Sequence, residues 1–172
     1  MRGALPVTSD QRRALQNYGG DGYIAVNETL RGLREPTVAT LAQIELIDQA
    51  ISQARPDSSR TVYRGIKAVA VRELARKYTV RAGTRISFAE FLSTSRDWDV
   101  AESFRGSIDT KGLLLAISYP DRTAALDMLE FANYPDEEEL LLARNLSLRV
   151  VSLDTTQGLL RLKMETHVEK PE

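Results

Sequence analysis

The sequence contains no cysteine and one histidine, His167. Without thiols there is no disulfide, no thiolate nucleophile and no cysteine-ligated zinc. A lone imidazole cannot build a histidine cluster, and it does not support a Ser-His-Asp triad. An excess of one charge is missing too: 23 Lys+Arg stand against 24 Asp+Glu, a formal net charge of -1. No global basic field therefore draws nucleic acid or an anionic membrane, although a local basic patch stays open. No stretch approaches the roughly 18 apolar residues that span a bilayer, and Met1–Pro6 lacks the apolar run of a secretory signal. The chain reads as soluble with its location open, because a domain cut from a longer secreted polypeptide, or exported by a contractile machine, would look the same. At 172 residues it fits one compact domain, 1–172, large enough for a continuous core with a cleft.

What is present divides into a helical third and a strand-rich remainder. Thr8 or Ser9 can cap a first short helix, the run Tyr18, Gly19, Gly20, Asp21, Gly22 breaks it, and Gly32 ends a second. A longer helix follows from about Thr37 to Ala54, with Val38, Leu41, Ile44, Ile47 and Ile51 at spacings of three and four, closed by Pro56, Asp57 and Ser58. Then come β-branched and aromatic runs: 61–66, 85–92, 112–119, 123–129, 137–143, 147–153 and 158–167. Helices near 69–78 and 97–104 interrupt them. Short turns such as Asp154–Gln157 favour antiparallel pairing. The fold class expected is α+β, with no internal repeat and a loose tail at Glu169–Glu172.

Four segments attract chemical interest: Tyr23–Arg31 (YIAVNETLR), Val62–Gly65 (VYRG), Phe91–Ser95 (FLSTS) and Tyr134–Leu142 (YPDEEELLL). If the last is a strand from Glu137 onward, Glu137 and Glu139 share a face at roughly 7 Å and Glu138 points away. Leu140 and Leu142 would bury that strand, leaving the acids where core meets cleft and coupled in their titration. Each segment also has an ordinary reading. Asp136–Glu139 can be an acidic turn that solvates a strand start, and Arg64 a surface arginine. Ser95 can cap the helix carrying Trp98 and Phe104, with Ser93 and Thr94 as spare hydroxyls. Tyr18, Tyr23, Trp98 and Phe104 can be aromatic core, and Tyr134 a strand-edge aromatic.

Taken together and in this order, the segments resemble the mono-ADP-ribosyltransferase superfamily over nearly the whole chain. The resemblance is to its arginine-serine-glutamate branch, with clostridial binary-toxin catalytic components, bacterial effectors and vertebrate ecto-enzymes. VYRG resembles the family's aromatic-plus-Arg strand, FLSTS its Ser-Thr-Ser strand, and EEELLL its Glu-x-Glu strand. Tyr18, Tyr23 and Asn27, followed by Leu30 and Arg31, match its upstream helix, and Phe104 its phenylalanine eleven residues beyond Ser93. The implied fold is N-terminal helices followed by two packed, mainly antiparallel sheets around an NAD cleft. NAD would be a co-substrate, and no metal is called for.

By the same resemblance, Glu139 would hydrogen-bond the nicotinamide ribose and stabilise the positive charge that grows there as the C–N bond breaks. Ser93 would hold that carboxylate. Arg64 would grip the diphosphate, Gly65 would let nicotinamide approach the backbone, Tyr23 and Asn27 would close over the phosphates, and Phe104 would stack on nicotinamide. Glu137 would deprotonate and orient an acceptor arginine, with Tyr134 in the loop that faces the acceptor. Two departures concern the target: Glu90 stands where the binary toxins have Asn, and Ser107 where they have a basic residue, for which Arg105 is the nearby substitute.

The function implied is transfer of ADP-ribose to a protein arginine by a bacterial toxin or effector, secreted or injected, acting in the cytosol of a target cell. An immunity protein is a further partner this allows; a membrane is not expected. Transfer to RNA or a small molecule, NAD hydrolysis, and an inactive NAD-fold interaction module are the competing readings.

Overall fold

The computed structural model describes residues 6–55, 61–106 and 111–165. Met1, Pro56, Asp57, Ser58, Ser107, His167 and the tail Glu169–Glu172, all named above, lie outside the described residues. The chain forms two compact units, Met1–Asp57 with Phe88–Thr94 and Arg122–Asn145, and Ser58–Ser87 with Ser95–Asp121 and Leu146–Glu172.

The first unit begins with helix α1 (Ser9–Asn17). Thr8 accepts from the Gln11 backbone N–H at 3.2 Å, and the Gln11 side chain accepts from the Thr8 N–H at 3.0 Å, a closed capping box. A π-helical turn over Tyr18–Gly22 follows, kinked at Gly20 (φ -96°, ψ -124°), and α2 (Tyr23–Leu30) starts at once. A third helix, α3 (Val38–Gln53), is capped by Thr37. Its apolar stripe buries Ile44, Ile47 and Ile51, but Val38, expected on the same stripe, is 87% exposed. The stripe therefore finds a core only from the second turn onward. Of the strands, β3 (Leu92–Ser95), β5 (Ala125–Asp127) and β6 (Glu139–Leu142) lie in the order β3-β6-β5. Strand β3 enters this unit through Leu92–Thr94. β5 and β6 are antiparallel, Ala125 opposite Leu142 and Asp127 opposite Leu140. Leu15, Tyr18, Val26, Ile47, Phe91, Leu126, Met128 and Leu141 make one buried cluster. Each large side chain fully buried there is worth roughly 1.5–3 kcal/mol, which makes the cluster a firm base for β6.

The second unit holds β1 (Thr61–Ile66), α4 (Ala68–Lys77), β2 (Arg85–Phe88), α5 (Trp98–Arg105), β4 (Leu113–Ser118), β7 (Leu146–Asp154) and β8 (Leu159–Met164). Its strand order is β2-β7-β8-β4-β1. β1 runs antiparallel to β4 and β7 to β8, whereas β4 and β8 are parallel, with Leu115 opposite Leu160. The parallel pair departs from wholly antiparallel pairing. It is possible because the long stretch from β4 to β8 exceeds the dozen or so residues that a parallel return needs.

Three boundaries differ from expectation. The run 85–92 is not one strand, because the chain bends at Ala89 and Glu90 and Phe91 enters the core. Ser95 is not the N-cap of α5: Asp97 is, accepting from Asp99 N–H at 2.8 Å, while Ser95 Oγ accepts from Asp97 N–H at 2.9 Å. Nor does strand run from Glu137. Pro135–Glu137 is a 3-10 turn, and β6 begins at Glu139.

Candidate active site

In the first unit the glutamate pair sits at the end of a loop that β5 and β6 close. Met128 N–H donates to the Glu139 carbonyl at 3.0 Å, so the loop from Leu129 to Glu138 hangs from the backbone of Glu139 itself. Pro135 opens the 3-10 turn, where its fixed φ suits a first helical position and its missing N–H costs nothing. Glu137 N–H then donates to the Tyr134 carbonyl at 3.1 Å. Glu138 takes a left-handed conformation at φ 47°, uncommon for a residue with a Cβ. This left-handed step, rather than strand alternation, separates Glu137 from Glu139. Glu138 is exposed, and Glu137 and Glu139 are both half-buried. Partial burial pushes the Glu137 carboxyl up from its ordinary value of 4.5.

Glu139 itself is fixed from behind. Leu140, Leu141 and Leu142 are fully buried, and Thr94 Oγ1 donates to the Leu140 carbonyl at 2.7 Å. That bond ties β3 to β6 next to the acid, and it gives Thr94 a structural duty within the Ser-Thr-Ser segment. Ser93, between buried Leu92 and Thr94, is half-buried. This duty differs from the expectation that Thr94 is a spare hydroxyl.

The helical residues of this unit divide. Tyr23 is 47% exposed, whereas Asn27 is buried and donates to Tyr18 Oη at 3.0 Å. Asn27 Oδ1 is buried and has no hydrogen-bond partner among the described residues. Tyr18 packs edge-on against Tyr23 (6.3 Å between centroids) and Phe91 (6.0 Å). Asn27 thus braces the kink from nine residues further along the chain. Tyr134 is 67% exposed on the loop.

The second unit carries Arg64, Gly65 and Phe104. The β1 ladder sets Arg64 opposite Leu115 and Gly65 opposite Leu114. Alternation places Arg64 on the face of Val62 and Ile66, and Tyr63 with Gly65 on the face covered by α5. A Cβ on Gly65 would collide with the Ala101 carbonyl and the Arg105 N–H. Glycine at 65 is therefore demanded by the close approach of α5, a reason that the sequence did not reveal. Tyr63 packs edge-on against Trp98 at 5.2 Å, so Trp98 is half at work in packing and not enclosed core. Phe104 is 50% exposed on the last turn of α5.

Arg105, the suggested substitute for a basic residue at 107, is only 4% exposed. It pairs with Glu102 at 2.7 Å and donates to the Gln157 carbonyl at 3.0 Å. Its guanidinium is committed inside the unit and is not available to a ligand. Glu90 is half-buried at the bend before β3. Among the described residues no group of three His, Cys, Asp or Glu could hold a metal, and no helix is long and apolar enough to cross a membrane.

Comparison with known proteins gives consistent matches. The family model for the ADP-ribosyltransferase exoenzyme matches residues 3–170. A Mycobacterium avium (strain 104) protein provisionally named NAD(+)--arginine ADP-ribosyltransferase Mav is 31% identical over 148 residues, 86% of this chain. The chain spans 16% of that relative's length. Among solved structures, the ADP-ribosyltransferase Vis of Vibrio splendidus superposes with a TM-score of 0.75 at 19% identity, covering 97% of this chain and 78% of Vis. The enzymatic component C2-I of the Clostridium botulinum C2 toxin gives 0.73 at 20% identity, over 92% of this chain and 44% of C2-I. The α+β fold read from the sequence is thus the fold of these toxins.

Proposed function

The chain belongs to the ADP-ribosyltransferase exoenzyme family, and from that premise we propose that it cleaves NAD and transfers ADP-ribose to an arginine side chain of a target protein. The observation that carries the acceptor assignment is Glu137: a half-buried carboxyl, raised by that burial, one residue from Glu139 across a left-handed turn. Support for arginine also comes from the name of the Mycobacterium avium relative.

NAD supplies a C–N glycosidic bond with a good leaving group, and positive charge grows on the ribose as that bond breaks. The half-buried Glu139 carboxylate places an anion for that charge, where it stabilises the transition state more than the ground state. Ser93 orients it from the neighbouring strand β3. Arg64 provides a planar fork of donors for the diphosphate. The exposed rings of Tyr23 and Phe104 suit contact with the dinucleotide, and the main chain of Gly65 meets the nicotinamide amide. Glu137 takes a proton from the acceptor guanidinium, the neutral nitrogen bonds to the ribose carbon, and nicotinamide departs with the bonding pair. Asn27 stands with Tyr23 on α2 to close over the phosphates, and Tyr134 meets the acceptor. The donor set suits an organic dinucleotide and calls on no metal. The chain, 1–172, works as one catalytic domain, delivered as a toxin or effector into the cytosol of a target cell.

Incubation with labelled NAD and a cell lysate tests this. Label on protein, released by neutral hydroxylamine but not by mercuric ion in the manner of an arginine linkage, and absent with Glu139→Ala, is the expected result. Label on RNA, or free ADP-ribose alone, would replace the acceptor; no consumption of NAD would remove the catalytic reading.

A further inference from the structure

The acceptor loop is seated on the glycine kink between α1 and α2, and the seat allows no side chain. A Cβ on Gly19 would stand 2.7 Å from the Phe131 carbonyl oxygen and 3.1 Å from Ala132 Cα, both backbone atoms. A Cβ on Gly20 would stand 3.3 Å from Asn133 Nδ2. Two further contacts hold the same stretch of loop to α1: Arg12 pairs with Glu130 at 3.5 Å, and its guanidinium lies 5.1 Å from the centre of the buried Phe131 ring. Phe131 and Ala132 both donate to the Met128 carbonyl at 2.8 Å, so this segment is a tight, internally bonded turn. Tyr134, Pro135 and Glu137 follow it directly. Glu139 shares the Met128 bond with this turn but is braced in addition by the pairing of β6 with β5 and by Thr94 behind Leu140, contacts that do not involve Phe131 or Ala132.

We propose that Gly19 is a specificity-determining position: by letting the Phe131–Ala132 backbone sit against the kink, it sets where Tyr134 and Glu137 stand, and so governs transfer to the acceptor without governing cleavage of NAD. Gly19 and Gly20 are positioning residues that act through the loop. Gly19 has a negative φ, so an alanine there meets no backbone penalty of its own, and its effect comes from displacing Phe131 and Ala132. A displacement of the order of an ångström at a reacting group costs transfer far more than it costs folding. This inference rests on the transfer reading above.

The test measures nicotinamide release into water and ADP-ribosyl transfer to agmatine, side by side, for the full chain. For Gly19→Ala, kcat/KM for agmatine is expected to fall about tenfold, while the KM for NAD and the rate of NAD hydrolysis stay within about twofold. Gly20→Ala meets only a side-chain tip and is expected to lose about threefold in transfer; adding Asn133→Ala, which removes that tip, restores it. Equal loss of both activities, or undiminished transfer, overturns the inference. If Gly19→Ala does not fold, the Gly20→Ala and Asn133→Ala pair decides it on the same terms. A wild-type chain that releases no nicotinamide sinks the transfer reading itself, whereas hydrolysis that persists while the variants transfer normally sinks this inference alone.

Discussion

Arg64 and Glu137 are held by opposite kinds of backbone. Arg64 stands on a six-residue strand, locked in register with Leu115 and backed by a helix so close that Gly65 admits no Cβ. Glu137 stands in a 3-10 turn opened by proline and followed by a left-handed glutamate, with exposed Tyr134 beside it. The strand is the arrangement that fixes a ligand known in advance, because its neighbours set each dihedral. The turn suits a variable partner, because its geometry is decided locally and can change without disturbing the ladder. On the proposed function, NAD cleavage then depends on rigid elements, and choice of acceptor on a loop.

Substitutions can break or sharpen that contrast. The largest effect is expected for Glu139→Ala: loss of an anion at the developing charge costs about 10²–10³-fold or more in both nicotinamide release and transfer, with the melting temperature nearly unchanged. A comparable loss of fold stability would mean that Glu139 is structural.

Gly65→Ala tests the strand side. Forcing a methyl against the backbone of α5 should cost about 1–3 kcal/mol, a fall in Tm of about 2–4 °C per kcal/mol, and should lower both activities together. Thermal unfolding that does not change would show that α5 yields easily, and that the strand is less rigid than described.

The pH response is a smaller effect and belongs to the turn. Burial raises the Glu137 carboxyl, so folding favours its protonated form. Its contribution to stability is therefore complete below 4.5 and is lost as pH rises from there through the raised value. Glu137→Gln should remove that slope in denaturation measurements across acid pH. Transfer by the wild type should have an acid limb above 4.5, where Glu137 ionises; a limb at or below that value would contradict the burial. The smallest effect is expected for Glu138→Gly, which relieves a left-handed residue worth about 1 kcal/mol and leaves transfer within about twofold.

Strand β1 was legible residue for residue, because its alternation and the turn residues around it agree. The capped starts of α1 and α3 were legible for the same reason. The backbone at the glutamate pair was not legible: the sequence argument assumes extended chain at Glu137, and a proline three residues before Glu138 and a left-handed step leave no mark in hydrophobic alternation. Asp97 displaced Ser95 as cap because two good capping residues stand two apart and local pattern does not choose between them. The reasons for Gly65 and for buried Arg105 were hidden altogether, since they lie in contacts with Ala101 and with the Gln157 carbonyl that only the folded chain creates.

The division of labour between the two acids is tested most directly by one variant, Glu137→Gln, assayed for nicotinamide release into water and for transfer to agmatine in the same reaction series. The account predicts transfer reduced by about 10²-fold with hydrolysis of NAD kept within a few-fold of wild type. Equal loss of the two activities, or transfer that survives, would contradict it.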